Sequence, residues 1–183
     1  MLRGDRIDER RTRETWLVLR SQAGDREALD LLLRDVQGDL GRYIASLMTD
    51  SADAPDALQE VLFRIARKIG TLRDPALFRP WMFRIASREA FARLRAEKEW
   101  RELVDADADA DALANPPSEE SIADGFDVQG MISNVSLASR TVIALHYLEG
   151  LTHQEVAVAL GLSLGTVKSR LAYGLTQLRK SER

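Results

Sequence analysis

The chain contains no cysteine among its 183 residues. That excludes disulfides, thiolate-held zinc, iron–sulfur clusters and thiol nucleophiles. Histidine occurs only as His146 and His153, on either side of Gly150. No carboxylates cluster around them, so neither a metal centre nor a hydrolytic constellation is expected, and the two read as structural or surface side chains. The expectation is no metal, no cofactor and no enzymatic activity. No apolar run approaches the ~18 residues of a membrane span. The opening stretch, MLRGDRIDERRTRE, has no apolar signal core. A cytoplasmic protein without membrane insertion is therefore expected. Strand-like alternation is also scarce, which argues against a sheet.

What is present is an uneven charge. Residues 1–98 hold 19 basic and 16 acidic side chains, residues 99–127 hold one and ten, and residues 128–183 hold six and three. Two mildly basic blocks thus flank a segment of net charge −9, a pattern the overall charge of −3 conceals. Within that segment Asp105-Ala-Asp-Ala-Asp-Ala-Asp111 is low in complexity, and Asn115-Pro116-Pro117-Ser118 stops a helix. Mutually repelling carboxylates with little apolar content predict an extended, flexible acidic linker, at most about 90 Å long. It is either a plain spacer or the occupant of a basic groove.

The flanking blocks read as helix. Leu29, Leu32, Leu33, Val36, Leu40, Tyr43, Ile44 and Leu47 recur at helical spacing across 27–47, with Asp25 placed to cap them. A shorter helix over 16–23 precedes them. Leu58, Val61, Leu62, Ile65 and Ile69 form another stripe, ended by Gly70. After a loop with two prolines, 81–100 reads as one long helix. The fold class is all-α: two small helical domains joined by the acidic linker, the C-terminal one a helix-turn-helix.

That last motif is written in local chemistry. Thr152 and Glu155 form a capping-box pattern that opens a helix over 152–160. Gly161 takes the left-handed conformation that stops it, and Ser163 caps the next helix over 164–178. Helix, short glycine turn, helix is the arrangement that puts its second helix in the major groove. The N-terminal end of that helix offers Ser163, Leu164, Thr166 and Lys168, continued by Ser169 and Arg170, while Arg179 and Lys180 suit phosphates. A purely structural helical hairpin is the plainer alternative.

Two further surfaces stand out. Arg84, Arg88, Phe91 and Arg95 fall within a stripe about 60° wide on the long helix, with Lys98 nearby. Arg73 and Arg79 come from the preceding loop, with Phe78 and Trp81 near its end. Cations follow phosphates and aromatic rings stack on unpaired bases, although Phe78, Trp81 and Phe91 read first as core. The second surface starts the preceding helix: Asp53, Asp56, Gln59 and Glu60 suit the positive end of the helix dipole, and the last three share one side. Such a surface can also grip a basic protein partner.

These residues carry a resemblance. Asp53-Ala-Pro-Asp-Ala-Leu-Gln-Glu-Val-Leu-Phe-Arg64 with Phe78-Arg-Pro-Trp-Met-Phe-Arg-Ile-Ala86, and then the run Gly150–Leu171, resemble bacterial sigma factors of the extracytoplasmic-function group. The resemblance spans roughly residues 14–98 and 128–181. It implies a tail over 1–13, a region 2-like domain over 14–98, the linker over 99–127 and a region 4-like domain over 128–183. It further implies that Asp53, Asp56, Gln59, Glu60 and Arg64 dock on a coiled coil of the largest subunits of core RNA polymerase. Arg73, Arg79, Arg84, Arg88 and Arg95 would face the −10 element of promoter DNA. Ser163, Thr166, Lys168, Ser169, Arg170 and Arg179 would face the −35 element. The resemblance also implies an anti-sigma factor as controlling partner. Pro55, Arg88 and Ala92 depart from the family pattern. The competing reading is a stand-alone helix-turn-helix regulator with an N-terminal sensor or dimerisation domain, for which the Asp53–Arg64 motif has no use.

Overall fold

The computed structural model describes residues 3–48, 53–104 and 135–181. Their order is α1 (Arg3–Gln22), α2 (Arg26–Leu47), α3 (Ala54–Lys68), two short 3₁₀ turns (Ile69–Thr71 and Pro75–Leu77), α4 (Phe78–Val104), α5 (Leu137–Ile143) continued by a π-helical turn (Ala144–Leu148), α6 (His153–Leu160) and α7 (Leu164–Ser181). No strand occurs among the described residues.

The helices begin where the sequence provides caps. One oxygen of Asp25 accepts the Ala28 N–H at 3.0 Å and the other takes Arg20, so α2 starts on a satisfied carboxylate. These bonds hold the Asp25 carboxyl below its usual range, the Ala28 amide contributing most. Pro55 sits in the first turn of α3, where a missing N–H costs nothing. Pro80 likewise falls in the first turn of α4.

The core of the first unit follows the periodic stripes: Leu32, Leu40 and Ile44 of α2, Val61 and Ile65 of α3, and Met82 and Phe83 of α4 are fully buried. Each such side chain contributes about 1.5–3 kcal/mol against exposure. Tyr43 meets Phe83 edge-on at 5.2 Å, and its hydroxyl bonds Ser87 Oγ at 2.6 Å. Burial pushes that phenol well above its ordinary pKa, so it serves as a neutral hydrogen-bonding group. In the second unit Val142, Ile143, Leu145, Val156, Val167 and Leu171 are buried as well and belong to the same continuous apolar cluster.

Gly174 lets α7 approach α5. A Cβ built there would lie 2.6 Å from Ile143 Cδ1 and 3.0 Å from Ser139 Cβ. Gly174→Leu therefore overpacks this contact and is expected to destabilise the second unit by about 1–3 kcal/mol. A thermal melt of the full chain checks this; an unchanged midpoint would mean that the contact is not close in solution.

Two boundaries differ from the sequence expectation. The helix expected from residue 16 begins at Arg3, so most of the stretch set aside as an N-terminal tail, 1–13, is helical. Its arginines find acidic partners far along the chain: Arg10 bonds Asp39 Oδ2 at 2.6 Å, and Arg11 bonds Glu155. At the other end α4 runs to Val104, into the segment assigned to the linker. The rest of the acidic segment, with the Asp-Ala repeat and the two prolines, lies outside the described residues.

Candidate polymerase and nucleic-acid interface

The acidic edge of α3 is built as the sequence suggests. Asp53 occupies the N-cap position without a side-chain cap bond, and Asp56 and Gln59 are exposed. Glu60 reaches one turn on to Arg64, with 2.6 Å between Oε1 and Nε. Arg64 also reaches Glu89 Oε2 on α4 at 3.0 Å, and Arg93 holds Glu89 Oε1 at 2.8 Å. Arg64 is therefore a brace between α3 and α4 as well as part of the edge. Asp56, Gln59, Glu60, Phe63 and Arg93 line one shallow depression of about 450 Å³. Phe63 was not singled out from the sequence. It is 57% exposed, and the Arg67 guanidinium lies 5.5 Å from its ring centre. A large aromatic ring just off the buried stripe was the available signal, and an exposed ring amid polar groups is the usual make-up of a binding surface.

The arginines expected to face the −10 element do not share one environment. Arg73 is exposed on the loop between the 3₁₀ turns, and Arg88 and Arg95 are exposed on α4. The loop itself is tied down, because Gln22 Nε2 donates to the carbonyls of Ile69 and Leu72 at 2.9 and 2.7 Å. Arg84 is half-buried and donates to the carbonyl of Val158 at the end of α6, 3.1 Å from Nε.

Arg79 requires a correction. It is 8% exposed, bonded to Glu14 Oε1 at 2.9 Å and Asp39 Oδ2 at 3.0 Å. Arg10 and Arg42 close on the same two carboxylates from outside. Burial drives the Asp39 carboxyl up, but Arg79, Arg42 and Arg10 outweigh it and hold it below its usual range. For Glu14 burial wins and the carboxyl is raised. Arg79 is thus a structural centre and no phosphate contact. Its partners lie 65 and 40 residues away, out of reach of any local pattern. Of the aromatics, Phe78 is core, while Trp81 and Phe91 are half-buried against it.

The helix-turn-helix has the expected local chemistry. Thr152 and Glu155 cap each other's backbone N–H groups, at 3.2 Å from Glu155 N to Thr152 Oγ1 and 2.8 Å from Thr152 N to Glu155 Oε2. Gly161 sits at φ 67° and ends α6. Ser163 Oγ accepts the Thr166 N–H at 3.0 Å and contacts the Thr166 hydroxyl at 2.8 Å. Ser163 and Thr166 therefore start α7, and their hydroxyls reach a ligand only while keeping the cap. Lys168, Ser169 and Arg179 are exposed, and Arg170 is half-buried. Val167 and Leu171 point into the core, so the polar and basic positions occupy the opposite side. The two histidines meet with ring centres 4.5 Å apart, and His146 Nδ1 lies 2.7 Å from the Leu151 carbonyl, pinning the turn before α6.

Comparison with known proteins agrees with this architecture. Residues 32–100 match the Sigma-70 region 2 family and residues 133–180 match Sigma-70, region 4. The chain is 30% identical over 168 residues to the RNA polymerase sigma-H factor of Pseudomonas aeruginosa, covering 85% of this chain and 86% of that one. It is 30% identical over 172 residues to the ECF RNA polymerase sigma-E factor of Haemophilus influenzae, covering 85% and 87%. Its fold is similar to CnrH, solved in complex with the cytosolic domain of CnrY, with a TM-score of 0.69 over 93% of this chain and 97% of that one at 19% identity. It is also similar to the sigma factor RpoE of Bartonella quintana, solved with the anti-sigma factor NepR, with a TM-score of 0.65 over 82% and 94% at 24% identity. A sigma region 2 match in the first block disfavours the stand-alone regulator with an N-terminal sensor or dimerisation domain. The chain belongs to the sigma-70 family, in its extracytoplasmic-function group: it is a sigma factor that directs transcription initiation.

Proposed function

We propose a division of labour among three surfaces of this sigma factor, acting in the cytoplasm without chemistry of its own. The α3 edge, Asp53, Asp56, Gln59 and Glu60 with Arg64 as brace, grips core RNA polymerase. Arg73, Arg88 and Arg95, with Arg84 once released from Val158, follow the DNA backbone at the −10 element. Lys168, Ser169 and Arg170 on α7 read the −35 element, with Ser163 and Thr166 at its start and Arg179 on a phosphate. The domains concerned are 14–98 and 128–183, the first extended toward the N-terminus by α1. An anti-sigma factor, as found on the Bartonella relative, is the expected regulator.

The observation that carries this reading is the separation of chemistries. The acidic edge occupies the first turns of α3, with Arg67 and Lys68 confined to its other end, and the cations assigned to DNA, Arg73, Arg88, Arg95, Lys168 and Arg179, are exposed on the loop, α4 and α7. An acidic face suits a basic protein surface and repels DNA, whereas exposed cations do the reverse. Run-off transcription by core polymerase with and without the protein tests it: promoter-dependent transcripts are expected only with the protein. On a promoter that needs its −35 element, Lys168→Ala or Arg170→Ala is expected to cost about 1–3 kcal/mol of recognition with the fold intact. Loss of polymerase binding in either variant would contradict the assignment of α7.

A further inference from the structure

The hollow beside the acidic edge of α3 does not carry one charge. Its walls from α3 are Asp56, Gln59, Glu60 and Phe63, and its wall from α4 is Arg93. Arg93 is held in place by its own helix. Its Nε donates to Glu89 Oε1 at 2.8 Å, one turn back, and Arg64 takes the other oxygen of Glu89 at 3.0 Å. Arg64 in turn holds Glu60 at 2.6 Å. The four side chains form a row of alternating charge, Glu60, Arg64, Glu89 and Arg93, that crosses from α3 to α4. Glu89 lies inside the row, with its side chain 7% exposed. The two ends, Glu60 and Arg93, are 39% and 30% exposed and both line the hollow.

Carboxylates, an exposed aromatic ring and a guanidinium therefore share one concave surface. A partner that is only basic would pair with Asp56 and Glu60 and meet Arg93 as a like charge, which works against binding. We propose that the segment of core RNA polymerase that fills this hollow is itself bipolar: it sets a cation against Asp56 and Glu60, an apolar side chain against Phe63 and a carboxylate against Arg93. This rests on the reading that α3 docks polymerase, and it adds Phe63 and Arg93 to the docking residues.

The chemistry of each addition fits its place. Arginine pairs with a carboxylate through a planar fork, and the bond to Glu89 fixes that plane before the partner arrives. Less freedom is then lost on binding. An aromatic ring ringed by polar groups is the usual anchor of a protein contact, and Phe63 is covered only when the hollow is filled. Opposite charges on the two walls also set direction. A bipolar segment enters one way round and is repelled when reversed, so the hollow selects orientation as well as partner.

Titration of labelled core RNA polymerase at fixed salt tests this. Arg93→Met is expected to weaken binding about tenfold and Arg93→Glu about 100-fold. Both changes make the surface more negative, so a purely basic partner would hold these variants as tightly as wild type or more tightly. Phe63→Ala is expected to weaken binding about tenfold. Binding at the wild-type level by either Arg93→Met or Phe63→Ala overturns the three-part complement. Urea unfolding verifies that each variant is folded. Arg93→Met leaves Glu89 its pair with Arg64, so it serves even where Arg93→Glu, which sets a second carboxylate beside Glu89, fails to fold. Glu60→Arg, run alongside, separates the two claims. Binding lost in Glu60→Arg and kept in the Arg93 variants overturns this proposal alone. Binding kept in all of them moves the polymerase contact off α3 and overturns both.

Discussion

Arg79→Ala is expected to destabilise the first helical unit by about 3–5 kcal/mol, the cost of leaving buried charges without their partner. Arg79 is the buried arginine that touches both Glu14 and Asp39, carboxylates whose side chains are 3% and 6% exposed; Arg10 touches both only from the solvent side. Arg10 and Arg42 are 44% and 52% exposed, so solvent screens their side of the cluster and they cannot take its place. Arg79 also stacks over Phe83 at 5.7 Å, and that packing is lost with the charge. Arg79→Lys is expected to fall between, because an ammonium keeps the charge but lacks the planar fork that spans two carboxylates. Urea unfolding of the full chain measures both variants. A loss below about 1 kcal/mol for Arg79→Ala would mean that water reaches and screens the cluster.

Glu60→Arg is expected to weaken binding to core polymerase at least about 100-fold, because it sets a cation in the middle of an acidic docking face. The cost to folding is small. The Glu60–Arg64 pair joins side chains that are 39% and 42% exposed, and exposed pairs of this kind contribute about 0–1 kcal/mol. Arg64 keeps Glu89 as a partner, so the brace between α3 and α4 survives. The same helix therefore separates stability from binding: Val61 and Ile65 hold the core, and Asp56, Gln59 and Glu60 face outward. Titration of labelled core polymerase with each protein measures the difference. Equal affinities would move the polymerase contact off α3.

Features fixed within a few residues were legible in the sequence. The Asp25 cap, the Thr152–Glu155 box and the left-handed Gly161 each depend on neighbours within one turn, and all occur as expected. Apolar spacing likewise placed α2, α3 and α7, because burial at the core obeys the helical period. What escaped were contacts between residues distant in the chain. Arg79 looked like any other arginine ahead of a helix until Glu14 and Asp39 were brought beside it. The charged opening stretch read as a tail because Arg10 and Arg11 point to acceptors on α2 and α6. Gly174 carried a signal in plain view, a glycine inside a helix, whose reason appears only once Ile143 packs against it. Of the candidate site, the α3 edge and the α7 face stood out from the sequence. The occupation of the α4 stripe by Val158 and its neighbours did not, because it depends on how two separate units meet.

The most direct test compares two variants in one assay. Core polymerase and a promoter carrying both elements are mixed with Glu60→Arg or with Lys168→Ala, and polymerase binding and promoter-dependent transcription are read side by side. The account predicts that Glu60→Arg loses both polymerase binding and transcription. It predicts that Lys168→Ala keeps polymerase binding and loses transcription from the −35-dependent promoter. The opposite pattern, with Glu60→Arg still bound to polymerase and Lys168→Ala released from it, would contradict the division between α3 and α7.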